Sequence, residues 1–108
     1  MNQGYFESFA QTVEGLPARA IFRAAEIERR MLEDDVTSKR ITLNSEEFSV
    51  LDFCHFLEAV RLGTDTVPNA MRPEHAAFYR RVVETLVRAG ELPSDAKERF
   101  DAAFSSRL

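Results

Sequence analysis

The stretch Asn44-Ser45-Glu46-Glu47-Phe48-Ser49-Val50-Leu51-Asp52-Phe53-Cys54-His55-Phe56-Leu57-Glu58-Ala59-Val60-Arg61-Leu62-Gly63 decides the fold. Asn44 followed three residues later by Glu47 is a capping-box pair, in which each side chain satisfies a backbone N–H of the helix start. Gly63 closes the segment, because glycine accepts the left-handed conformation that ends helices. Between them Val50, Phe53, Cys54, Phe56, Leu57 and Val60 make one continuous apolar face at helical spacing. Phe48, Leu51, Ala59 and Leu62 add apolar groups among the polar residues of the other side. A helix apolar on two sides belongs at the centre of a bundle or in an interface.

Helical patterns continue on both sides of this segment. Phe6, Phe9, Ala10 and Val13 predict a helix over about 3–14, ended by Gly15, with Pro17 fitting the first turn of the next. A second helix is predicted over 17–34. Ala20, Ala24, Ile27 and Met31 form its seam, and Ile21, Ala25 and Leu32 widen it. Arg23, Glu26, Arg30, Glu33 and Asp34 read as its solvated face, with opposite charges three and four residues apart. Residues 35–44 break the helical period and read as an extended connector; the β-prone alternation over 40–43 finds no strand partner in the chain.

Residues 63–72 read as a loop. Pro73 and Glu74 then open a helix to about Ala89, with a core stripe of Ala76, Tyr79, Val82, Val83 and Leu86. Gly90, Leu92 and Pro93 stop it, with Leu92 placed to fold back on the last turn. Ser94 caps a short last helix striped by Ala96, Phe100, Ala103 and Phe104. The expected fold is all-α: a compact four- to five-helix bundle, residues 1–108 forming a single domain, with an extended connector around residues 35–44.

Composition bounds the function. A length of 108 residues suits one domain, and nine phenylalanines supply large core pieces. A net charge of −4 opposes nonspecific nucleic-acid binding, which selects for basic surfaces. Arg80, Arg81 and Arg88 share a face of the fourth helix, but Glu84 lies four residues from both Arg80 and Arg88. Twelve arginines against two lysines read most simply as coding bias. No uncharged apolar run approaches the roughly 20 residues of a membrane span, and the first residues lack a signal-peptide pattern, so no membrane association and a cytoplasmic address are expected.

Catalysis finds no support in the residues, and neither cofactor nor metal is expected. Cys54 is the single cysteine and lies in an apolar run, where it acts as a small buried hydrophobe. Cys54 and His55 are adjacent and diverge on a helix, which is wrong for a nucleophile and its base. Asp52, His55 and Glu58 step around the helix instead of converging on a metal. His75 has only Glu74 beside it, and neighbouring helical residues point apart. Residues 34–48 lack the alternating oxygen ligands and the turn glycine of a calcium loop.

Two features remain. Glu28 falls inside the apolar arc of the second helix and Arg61 borders that of the third, so the two are expected to pair at the core edge. Phe22, Phe48, Leu51 and Leu62 are apolar residues on faces that otherwise read as wet, and they are the expected partner-binding set. The function these features imply is noncatalytic: a helical protein–protein interaction module of the adaptor, inhibitor or neutralising-protein type, self-associating as a homodimer. The alternative is a bundle that binds a small apolar ligand, as part of a ligand-responsive regulator.

Overall fold

The structure, a computed structural model, describes residues 4–38, 42–64 and 70–105, with side chains to residue 103. Five α-helices follow in order: α1 (Tyr5–Glu14), α2 (Ala18–Ser38), α3 (Ser45–Leu62), α4 (Ala76–Arg88) and α5 (Ala96–Ser105), with one 3-10 turn at Pro73–His75 ahead of α4. Every regular element among the described residues is helical, and the five pack as a small bundle. None of these helices is long and apolar enough to cross a membrane.

α3 is the central helix. Asn44 forms the predicted capping box with Glu47, and Gly63 takes φ 76° at the other end. Val50, Phe53, Phe56, Leu57 and Val60 are buried almost completely against the other helices. Phe53 stacks on Tyr79 of α4 with ring centroids 4.1 Å apart, and Phe56 meets Phe100 of α5 edge-on at 5.6 Å. α1 and α2 pack directly on α3. Gly90 at φ 77° ends the α4 region, and Leu92 is buried as its fold-back predicts, with Glu91 N–H donating to Leu86 C=O at 2.8 Å.

The start of α1 borrows its cap. Gly4 has no side chain to offer, and Glu46 of α3 accepts from Phe6 N–H at 3.2 Å. A negative charge suits that end of a helix. A Cβ on Gly4 would stand 2.6 Å from Glu46 Oε1, so the glycine gives the carboxylate room to approach.

Three expectations are corrected. First, α2 continues to Ser38, so residues 35–38 of the expected connector are helical; residues 39–41 lie outside the described set. The apolar period stops there because this last turn is exposed. Hydroxyls hold it instead, with Thr37 Oγ1 donating to Glu33 C=O at 2.7 Å and Ser38 Oγ to Asp34 Oδ1 at 2.8 Å. Second, α2 is rolled about its axis relative to the expected seam. Ile21, Phe22, Ala25 and Leu32 face the core, while Ile27 and Met31 are 48% and 57% exposed. At 100° per residue, the two sets lie roughly 130° apart. Third, Arg80 and Arg81 of α4 meet carboxylates of other helices. Arg80 pairs with Asp101 at 2.7 Å and Arg81 lies 3.8 Å from Glu14, while Lys97 takes Glu84 at 3.6 Å. Phe104 of the expected α5 stripe falls outside the described side chains.

Candidate functional site

The expected partner-binding residues separate. Phe22 is buried beneath Arg61, whose guanidinium carbon lies 4.7 Å from the ring centroid, so it is covered within the chain. Leu51 is half-buried against the core. Phe48 and Leu62 are exposed, at 43% and 69%. They lie fourteen residues apart on α3, about 21 Å at 1.5 Å per residue, and do not form one patch.

The expected Glu28–Arg61 pair is not formed. Glu28 Oε2 accepts from the hydroxyl of Tyr5 at 2.5 Å, tying α1 to α2, while Arg61 serves the Phe22 ring. Glu28 thus meets the cost of partial burial with a neutral donor in place of a cation. Burial, and then the carboxylate it donates to, push the Tyr5 phenol far above its ordinary range.

The titratable groups of the sequence go to three different places. His55 on α3 meets Glu33 of α2 at 2.7 Å, and Arg29 lies 2.8 Å from Glu58 and 3.2 Å from Glu33. Glu33 is held below the usual carboxylate range, first by His55 and then by Arg29. Arg29 Nε, although 2.8 Å from Glu58, makes no aligned hydrogen bond, so that contact is one of charge. This network pins α2 to α3 at the surface. Cys54 is buried, and burial pushes its thiol well above the ordinary value, away from the nucleophilic thiolate. Among the described residues, no group of three or more His, Cys, Asp or Glu is placed to hold a metal ion.

His75 belongs to a buried polar cluster that sequence patterns did not reveal. Ser49 Oγ lies 2.9 Å from His75 Nδ1 and 2.8 Å from the Tyr79 hydroxyl, and it accepts from Arg72 N–H at 3.0 Å. Phe6 stacks flat on the imidazole, with centroids 3.6 Å apart and 2° between planes. The assignment that uses both buried hydroxyl protons has Tyr79 donating to Ser49 and Ser49 donating to His75 Nδ1, with the imidazole proton on Nε2. A serine and a histidine at this distance have the spacing of a nucleophile and its base. Ser49 has no exposed surface, however, and its oxygen is fully used. The cluster is a lock between α3 and the start of α4.

Burial holds His75 below the usual histidine range, against the raising effect of the Glu74 and Glu46 carboxylates. The unfolded chain, whose histidine titrates near 6.5, therefore binds the proton more readily than the folded one. Stability is full above that value and falls as pH drops below about 6.5. Urea midpoints measured between pH 7.5 and 5.5 are expected to decline, and His75→Gln is expected to flatten that part of the profile.

Two surfaces among the described residues bear on binding. Between α2 and α3 lies a groove of about 330 Å³ lined by Phe22, Ala25, Cys54 and Leu57, with Glu26, Glu58, Arg61 and Leu62 also on its walls. On the outer side of α2, Ala20, Ala24, Ile27 and Met31 recur at spacings of four, three and four. Arg23 and Arg30 flank that seam on one side, Glu28 and Asp35 on the other. The chain matches no protein-family pattern, no curated protein and no solved structure.

Proposed function

We propose that the protein is a noncatalytic protein–protein interaction module that acts by binding another protein and self-associates through α2. The adaptor, inhibitor and neutralising-protein types and a cytoplasmic setting belong to the same reading. The observation that carries it is the exposed seam of α2. Ile27 and Met31 stand open to solvent in line with the half-buried Ala20 and Ala24, although the helix has another apolar face that fills the core. A four-three-four repeat is the seam of a two-stranded coiled coil. In heptad terms Ala20 and Ile27 are d residues, Ala24 and Met31 are a residues, Arg23 and Arg30 fall at g, and Glu28 and Asp35 at e. Basic g against acidic e five residues further on is the complementarity of parallel strands. We read a second copy of α2 on this face with Arg23 opposing Glu28 across the pair, while Arg30 is held by Glu26 at 2.6 Å within its own helix. Tyr5 occupies one oxygen of Glu28, and a carboxylate has acceptor capacity for an arginine as well.

Two alanines among four seam residues allow close approach but give modest apolar burial, so the pair forms in the micromolar range. Light scattering after size-exclusion chromatography is expected to give a mass rising with concentration from 12.3 kDa towards twice that value. Ile27→Glu should hold the mass at the monomer with helix content unchanged. A mass independent of concentration would remove the self-association claim.

A second reading, a bundle that binds a small apolar ligand, is supported by the α2–α3 groove, whose volume falls within the range of about 300–1,000 Å³ typical of ligand sites.

A further inference from the structure

No further inference is drawn: the strongest candidate, the outer face of α3 on which the exposed Phe48 and Leu62 recur in line with His55 and Ala59, carries nothing because nothing in the structure shows what covers it.

Discussion

Ser49→Ala is expected to destabilise the fold by about 2–5 kcal/mol, read as a lowered urea midpoint with an unchanged slope. The substitution removes only one oxygen from α3. That oxygen, however, takes Arg72 N–H, contacts the Tyr79 hydroxyl and meets His75 Nδ1, all within 3.0 Å. Ser49 and Tyr79 have no exposed surface, so water cannot replace the lost partner without opening the bundle. Stranding a buried donor costs about 1–3 kcal/mol, and two donors are stranded here. Tyr79→Phe is the contrast: it removes one donor together with its hydroxyl and leaves Ser49 bridging Arg72 and His75. Its loss should be about 1 kcal/mol, and the two substitutions combined should cost less than their sum. Equal losses from the two single variants would contradict the bonding order assigned to the cluster.

Phe53→Ala is expected to cost about 3–5 kcal/mol, a large share of the roughly 5–15 kcal/mol that stabilises a domain. Phe53 is fully buried, stacked on Tyr79 and edge-on to Phe100 at 6.4 Å. It joins α3 to both C-terminal helices, and the cavity left by alanine would be walled by rigid rings that collapse poorly. Phe48→Ala, five residues earlier on the same helix and 43% exposed, should stay near 0.5 kcal/mol. Denaturant melts of the two variants side by side would separate the core side of α3 from its open side. Comparable losses would mean that α3 is not the central helix.

Much of this fold was legible in the sequence because its signals are local. Asn44 and Glu47 cap α3 within one turn, Gly63 and Gly90 need backbone conformations that few other residues accept, and Leu92 folds back on a helix end only a few residues away. The identity of the inner face of α2 was a different problem. Ala20, Ala24, Ile27 and Met31 form as regular a stripe as Ile21, Ala25 and Leu32, and periodicity cannot say which of two apolar stripes meets the core. Phe22 decides it in the structure. The ring reads as stranded among charges along the sequence, yet it sits under Arg61, contributed by α3 nearly forty positions later. The same blindness hid the Ser49 cluster, since a lone serine in an apolar helix carries no local mark of a histidine 26 residues away. Glu28 was legible as an anomaly but not in its solution, because a tyrosine on another helix satisfies it.

Disulfide trapping reports whether the outer seam of α2 meets its own copy in parallel. Ile27→Cys in a Cys54→Ala background places one thiol per chain at the middle of the seam. In a parallel pair position 27 faces its own copy, whereas an antiparallel pair sets it against position 24. Mild oxidation at micromolar concentration is expected to yield a covalent dimer with native helix content, and Met31→Glu to suppress it. No covalent dimer under those conditions, or equal trapping with a cysteine at the exposed position Ala77 of α4, would contradict it.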